Sequence, residues 1–381
     1  MLVVFSGWSL LGGFVATDMA LFSRIAKLTI EMVGIVFLLG TVLSYSGAVH
    51  WFFASFLGVA VWRTLTASQV LSGGASGLDY ALLTSQGGAI AQRFFEANAV
   101  GVFAAVGVLS MAALLRETRN VWVKGLLVAC GMLSVTGVVL SASRGAFITL
   151  MSISVLWAVF CLWGQRRIKL SAILGAGLVL WVSYELFQFI LANTYLGTRF
   201  TSSISMEDQS TVARVGFIRI ALRLLWENPV LGVGLGQFGI ASGTGYYAHN
   251  EFAEIIATTG LPGFLLYYSV YWRAWSRLTW SLTILGDPSI RYRINMVRIA
   301  LVTLLISGFL FRPNYQLQDT MFMIALVVGM AHWSERTARQ TWRSYSAASV
   351  RAPTLWPAPG FGAVLPRVSA LGKPRRTGVY S

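Results

Sequence analysis

Long apolar stretches recur along this 381-residue chain, and they constrain its fold more than any other feature. A helix that crosses a membrane needs about 20 mostly apolar residues. The stretches are continuous rather than alternating, which predicts helices and not the strands of a membrane barrel. We therefore predict an all-α, polytopic integral membrane protein with about ten transmembrane helices. The candidate spans are residues 1–20, 28–45, 48–65, 97–115, 121–140, 145–164, 170–191, 261–280, 296–311 and 319–333.

The composition excludes two other classes of protein. Hydrophobic residues make up 56% of the chain and charged residues only 11%, whereas an ordinary soluble protein is about 25% charged. A soluble domain of this size would lack the polar residues to cover its surface, and a disordered chain would be poor in aromatic residues. The two cysteines, Cys130 and Cys161, both lie within apolar stretches, which predicts buried thiols rather than a disulfide.

The chain carries a net charge of +15, and its basic residues gather in a few loops. In a soluble protein such a charge would suggest nucleic acid as the partner. In a membrane protein, lysine and arginine are instead enriched in cytoplasmic loops. This rule places residues 116–124, 166–169, 273–298 and the C-terminus in the cytoplasm, and no nucleic-acid partner is predicted.

The opposite side of the membrane then receives a loop at 66–96, a tight turn at 141–145 and the longest polar stretch, at 192–260. A loop as long as the last one is rarely only a connector. Residues 1–339, including this loop, are predicted to form the transmembrane domain. Residues 340–381, rich in Pro, Gly, Ser and Arg, are predicted to form a disordered basic cytoplasmic tail.

Arginines on the predicted outer side are the first candidates for chemistry. Arg144 lies in the turn at 141–145, where an arginine either snorkels to the membrane surface or faces the bundle interior as a functional group. Residues 211–227 form an amphipathic stretch that carries Arg214, Arg219 and Arg223. These arginines either contact lipid headgroups or bind phosphate through two parallel hydrogen bonds.

His249 is the second candidate, because it lies in the longest polar loop close to both acids and arginines. A histidine in such a setting is either a hydrogen-bonded structural residue or a catalytic one. Asn250, Glu251 and Glu254 follow it closely. No second histidine lies near it in the sequence, so a zinc site is not predicted.

A glycine run from Gly232 to Gly239 resembles a phosphate-binding fingerprint in its spacing. That fingerprint functions only between a strand and a helix, and no strand is predicted before this run. A closely packed turn is the better interpretation of these glycines.

Together these residues resemble the O-antigen ligase and polymerase superfamily of bacterial envelope proteins. The resemblance covers roughly residues 95–335. Its motifs are Ser143 to Ala146, Arg214 with Asn228-Pro229 and Leu231 to Gly234, and His249-Asn250 with Gly260 and Gly263.

The resemblance implies a GT-C-like glycosyltransferase of the bacterial inner membrane whose active site faces the periplasm. Its donor would be a glycan on undecaprenyl pyrophosphate, and its acceptor would be lipid A-core in a ligase or another glycan in a polymerase, the latter slightly favoured. No metal or nucleotide cofactor is implied, and proteins of envelope-polysaccharide assembly are further expected partners. The family's functional residues correspond to Arg144, Arg214 and His249.

This assignment agrees with the charge of the donor, because arginines can neutralise a leaving pyrophosphate. His249 would deprotonate or orient the acceptor hydroxyl, or donate a hydrogen bond to phosphate. Arg219, Arg223, Asn250, Glu251 and Glu254 are predicted to contact substrate.

Two alternatives remain open: a transporter or flippase of lipid-linked oligosaccharide, and a non-enzymatic assembly scaffold. A transporter places polar groups near the membrane midplane, and in the sequence only Glu31 and Glu185 suggest that.

Overall fold

The computed structural model is a bundle of α-helices that describes residues 1–46, 48–72, 97–141, 143–163, 170–193, 209–310 and 318–351. Within these residues it contains no β-strand, and the all-α prediction is confirmed. The helices are α1 (Leu2–Leu11), α2 (Met19–Ser46), α3 (Val49–Ser72), α4 (Ala97–Glu117), α5 (Val121–Leu140), α6 (Arg144–Trp163), α7 (Leu170–Asn193), α8 (Gln209–Glu227), α9 (Phe238–Ala241), α10 (Glu251–Ile284), α11 (Pro288–Leu310) and α12 (Gln318–Arg351).

Among the described residues, four helices are long and apolar enough to cross a membrane, which agrees with a membrane protein. The predicted count of about ten spans stays a prediction, as does the placement of the 192–260 loop in the periplasm. The four helices are Met19–Tyr45, Ala99–Glu117, Val121–Leu140 and Pro288–Leu310.

The two termini of the chain differ from the sequence prediction. A single span over residues 1–20 is wrong, because α1 ends at Leu11 and a 3-10 turn at Gly12–Phe14 follows. Asp18 then starts α2 by accepting a hydrogen bond from the Leu21 backbone N–H at 2.9 Å. At the other terminus, α12 continues past the predicted boundary at 340 to Arg351. The rest of the predicted tail, 352–381, lies outside the described residues.

Contacts of α4 fix the relative directions of its neighbours. A Cβ added to Gly101, near the start of α4, would lie 2.5 Å from the Cβ of Ala146, near the start of α6. Towards the end of α4, the Tyr292 hydroxyl of α11 donates a hydrogen bond to the Ala112 carbonyl at 2.6 Å. Since α11 is tied to the end of α4 near its own start, its last residue, Leu310, reaches the end of the bundle where α4 and α6 begin. We call this the site end and the opposite end the basic end.

The basic end holds a set of ion pairs that join different helices. Arg293 of α11 pairs with Glu117 of α4 at 2.5 Å, and Arg277 of α10 pairs with Glu335 of α12 at 3.0 Å. These residues come from three of the regions predicted to be cytoplasmic. The structure therefore gathers them at one end of the bundle, and the side of the membrane that this end faces stays a prediction.

The helix α10 doubles back on itself at Gly260, whose backbone is not helical (φ 67°, ψ −177°). The rings of Phe252 and Tyr268 are stacked with their centroids 4.6 Å apart, and the Tyr267 hydroxyl donates to a Glu251 carboxylate oxygen at 2.9 Å. In one straight helix, residues 16 positions apart would be separated by about 24 Å. The first arm, 251–259, therefore packs back along the second arm, 261–284.

The glycine run beginning at Gly232 donates hydrogen bonds to carbonyls that the break at Gly260 leaves without helical partners. Pro262 has no N–H to donate to the carbonyl four residues earlier. Gly234 supplies that hydrogen bond instead, from its N–H to the Thr258 carbonyl at 3.0 Å, and Val233 likewise donates to the Ala257 carbonyl at 2.9 Å. The run is thus a closely packed turn, as the sequence predicted.

Candidate functional site

Helix α8 is positioned by one apolar face that packs on the first arm of α10. Ala221 and Leu224 are buried on that face. Arg214 lies seven residues before Ala221, so two helical turns bring it to the same face. Arg219 is exposed and Arg223 lies on the face opposite Arg214. The packing of α8 therefore directs one of the three predicted arginines into the bundle and the other two away from it.

Arg214 contacts the end of α11. Its Nη1 donates a hydrogen bond to the Leu310 carbonyl at 3.2 Å. The last carbonyls of a helix lack donors within that helix and need partners from elsewhere. This bond consequently fixes the Arg214 guanidinium at the site end of the bundle.

His249 lies in a strained turn directly before the first arm of α10. Its φ of 52° is the one positive value at a non-glycine residue in the described part of the chain. A left-handed backbone costs such a residue roughly 1–2 kcal/mol, so the surrounding structure must hold it there. The imidazole ring lies 4.0 Å from the Tyr247 ring and 5.9 Å from the Phe217 ring of α8, centroid to centroid.

Asn250 joins this turn to the same end of α11. Its Oδ1 accepts a hydrogen bond from the Ala253 N–H at 3.0 Å and so caps the first arm of α10. Its Nδ2 donates to the Phe309 carbonyl at 3.0 Å. Arg214 and Asn250 therefore bind consecutive carbonyls of α11, and the structure brings the predicted residues Arg214, His249 and Asn250 together.

Arg144 is the first residue of α6, and it lies at the site end. Ser143 caps the helix, since its Oγ accepts a hydrogen bond from the Ala146 N–H at 3.3 Å. The small residues predicted around the turn allow α4 and α6 to meet closely at Gly101. Because α6 packs against α11 and begins where α11 ends, Arg144 lies at the same end of the bundle as Arg214.

The two acids after His249 are buried rather than open to solvent. Glu251 is 0% exposed and accepts the hydrogen bond from Tyr267, and Glu254 is 1% exposed. A Glu254 carboxylate oxygen accepts a hydrogen bond from the Ala248 N–H at 2.7 Å. Both carboxylates thus have partners within the protein, and their contact with substrate stays a prediction.

The two outward arginines of α8 have different surroundings from Arg214. The Arg223 side chain is 61% exposed and lies 3.7 Å from a Glu227 carboxylate oxygen. An exposed pair of this kind contributes little to stability. A role for Arg219 and Arg223 in binding substrate also stays a prediction.

No group of three His, Cys, Asp or Glu side chains that could hold a metal ion occurs among the described residues. The chemistry that Arg144, Arg214 and His249 themselves offer is that of cationic guanidinium groups and an imidazole. Such a set suits the binding of phosphate and the transfer of a proton.

Sequence reasoning missed the aromatic partners of His249 and the position of Arg298. Phe217 could have been found, because it follows Arg214 by three residues on the same helical face. Arg298 was predicted only as part of a basic region at the start of the span 296–311; it lies within α11, with its Cζ 4.8 Å from the Phe160 ring centroid and 4.2 Å from that of Trp275. Arg298 of α11 therefore contacts aromatic rings of both α6 and α10.

Comparison with known proteins identifies the region that holds these residues. Residues 129–268 match the family model described as O-antigen ligase. No curated protein matches the chain. The resemblance predicted from the motifs is confirmed over residues 129–268, a range that includes Arg144, Arg214 and His249.

Proposed function

We propose that the chain is an inner-membrane glycosyltransferase that transfers a glycan from undecaprenyl pyrophosphate to an acceptor on the periplasmic side. The acceptor is a second glycan in a polymerase or lipid A-core in a ligase. The O-antigen ligase domain supports glycan transfer in general. The observation that carries the proposal is the joining of Arg214 and the His249 turn at the last two carbonyls of α11.

In the proposed reaction, the acceptor hydroxyl oxygen forms a bond to the anomeric carbon of the donor sugar. The bond from that carbon to the diphosphate oxygen breaks on the opposite side, which inverts the configuration. Negative charge grows on the departing diphosphate, and Arg214 and Arg144 stabilise it. His249 has two roles open to it: it accepts the hydroxyl proton, or it donates a hydrogen bond to phosphate while the hydroxyl proton passes to the departing diphosphate.

The glycan profile of a deletion strain tests this function. Complementation with wild type is expected to consume the lipid-linked glycan, whereas Arg144→Ala, Arg214→Ala and His249→Ala are expected to leave it unconsumed. Single repeats would accumulate if the enzyme is a polymerase, and long unattached chains if it is a ligase. Full complementation by all three variants, with membrane insertion verified, would contradict the proposed site.

Thiol labelling tests which side of the membrane holds the site. Two open positions lie at opposite ends of the bundle. Tyr246, three residues before His249, is 64% exposed. A Cβ at Gly286, between α10 and α11, meets no atom within 4 Å. In a chain whose two cysteines are replaced by serine, Tyr246→Cys is expected to react with an impermeant maleimide added to whole spheroplasts. Gly286→Cys is expected to react only after the membrane is opened. The reverse pattern would overturn the proposed orientation.

A further inference from the structure

The carboxylate of Glu254 reaches back across His249 to the residue before it. Its Oε2 accepts a hydrogen bond from the Ala248 N–H at 2.7 Å. Glu254 is 1% exposed and Ala248 is 0% exposed, so this bond is made inside the protein, where water does not compete for it. The backbone N–H of Ala248 is thus held in place from the first arm of α10.

A second anchor lies immediately after His249. The Asn250 side chain accepts from the Ala253 N–H and donates to the Phe309 carbonyl, each at 3.0 Å. His249 is therefore the single residue between two fixed points of the backbone. Between these two points its backbone has a φ of 52°, a conformation that surrounding contacts have to maintain.

We propose that Glu254 is a positioning residue for His249. Its carboxylate holds the backbone of the turn in the left-handed conformation, and this conformation places the imidazole between Tyr247 and the Phe217 ring of α8. Phe217 follows Arg214 by three residues, so the imidazole is kept close to the helical face that carries the inward arginine. This inference rests on the proposed function of His249 in glycan transfer.

The environment of Glu254 favours this role over direct contact with substrate. Its side chain is buried, and it lies in the first turns of a helix, where the helix dipole favours a negative charge. A carboxylate in contact with the diphosphate of the donor would repel that diphosphate, because both groups are negatively charged. The carboxylate therefore acts through the backbone that it holds.

Two conservative variants distinguish a role of the Glu254 hydrogen bond to Ala248 from a role of its negative charge. In Glu254→Gln, the amide oxygen can still accept from the Ala248 N–H, although the negative charge is lost. In Glu254→Asp, the charge is kept, but the side chain is one methylene shorter and does not reach Ala248. We expect Glu254→Asp to turn over at least tenfold more slowly than Glu254→Gln, since the loss of a single oriented group costs turnover on this scale.

The loss in Glu254→Asp is expected in kcat, with the KM for the acceptor little changed. The pH dependence of turnover in Glu254→Gln is expected to match that of wild type, because the imidazole keeps its place. The opposite ranking, with Asp active and Gln inactive, would show that Glu254 acts by its charge and would overturn the inference. Thermal melting of each purified variant in detergent verifies that it is folded.

A double-mutant cycle with His249→Ala completes the test. If Glu254 acts through His249, then Glu254→Asp lowers turnover no further in a chain that already carries His249→Ala. Additive losses would overturn the positioning role while leaving His249 in place as a functional residue. Wild-type turnover in His249→Ala alone would instead refute the proposed function, whatever the result at Glu254.

Discussion

Replacing Arg214 with lysine is expected to lower the rate of glycan transfer by about a hundredfold or more, the scale on which loss of one preorganised donor reduces turnover. Lysine keeps the positive charge but offers a single ammonium in place of a planar group with parallel N–H donors. The guanidinium of Arg214 donates a hydrogen bond to the Leu310 carbonyl, which holds it at the site end of the bundle. The assay is transfer from a polyprenyl-diphosphate glycan donor by purified protein in nanodiscs.

Arg223→Lys provides the matched control on the same helix. Arg223 lies on the opposite face of α8, 61% exposed, and its ion pair with Glu227 is a surface pair of little energetic weight. We expect Arg223→Lys to lose far less turnover than Arg214→Lys, because Arg223 extends into solvent and not towards the site end of the bundle. Equal losses at Arg214 and Arg223 would contradict a specific role for the inward face and would favour a general effect of positive charge on α8.

The contrast between these two arginines shows where sequence reasoning reached its limit. The amphipathic stretch was predicted at 211–227, and the structure has a helix at Gln209–Glu227. Periodicity alone separates two faces of a helix, but it does not say which face meets the bundle. The inward face is set by tertiary packing: Ala221 and Leu224 of α8 share one buried cluster with Phe238 of α9 and Ala257 of the first arm of α10.

The residues of the site were easier to predict than their roles. The order of the motifs located Arg144, Arg214 and His249 in one family domain. Glu251 and Glu254 were predicted to contact substrate because they are acids beside a histidine. Their burial depends on Tyr267 and Ala248, and the first of these contacts requires two arms of one helix to lie side by side. No local pattern in the sequence reports a contact of this kind.

Arg298 is a second case in which contacts between helices could not be predicted from the sequence. The charge pattern grouped it with Arg291 and Arg293 in one cytoplasmic basic region, although the predicted span at 296–311 contains it. The helix α11 begins at Pro288, however, and carries Arg298 inward between the rings of Phe160 and Trp275. Cation–π contacts with two rings offset part of the cost of removing an arginine from water. Aromatic partners on two other helices are invisible to a rule that counts charges.

The reversal of α10 at Gly260 leads to the largest expected effect on stability. Gly260 has φ 67° and ψ −177°, a region of backbone conformation that is open essentially to glycine alone. A Cβ at this position would also lie 2.5 Å from the Val230 carbonyl carbon and 2.8 Å from the Pro229 carbonyl oxygen. Gly260→Ala is therefore expected to destabilise the protein by about 2–5 kcal/mol, the sum of backbone strain and overpacking.

Gly243→Ala is the matched control for this prediction. Gly243 has a similar positive φ of 71°, but a Cβ there would meet no atom within 4 Å. The control thus retains a positive φ and removes the overlap, and its expected cost is only about 1–2 kcal/mol. The midpoint of thermal aggregation in detergent, at one fixed heating rate, measures both variants, because membrane proteins of this size commonly unfold irreversibly.

Activity should follow stability at Gly260 for a structural reason. The reversal is what brings Glu251 to Tyr267 and presents the His249 turn to the end of α11. A variant that straightens α10 would carry His249 away from Arg214, so transfer is expected to fall even at temperatures where the chain stays folded. Equal melting midpoints for Gly260→Ala and Gly243→Ala, with normal transfer in both, would mean that α10 does not depend on a tight reversal. The meeting of Arg214 and the His249 turn at the end of α11 would then not depend on the reversal at Gly260.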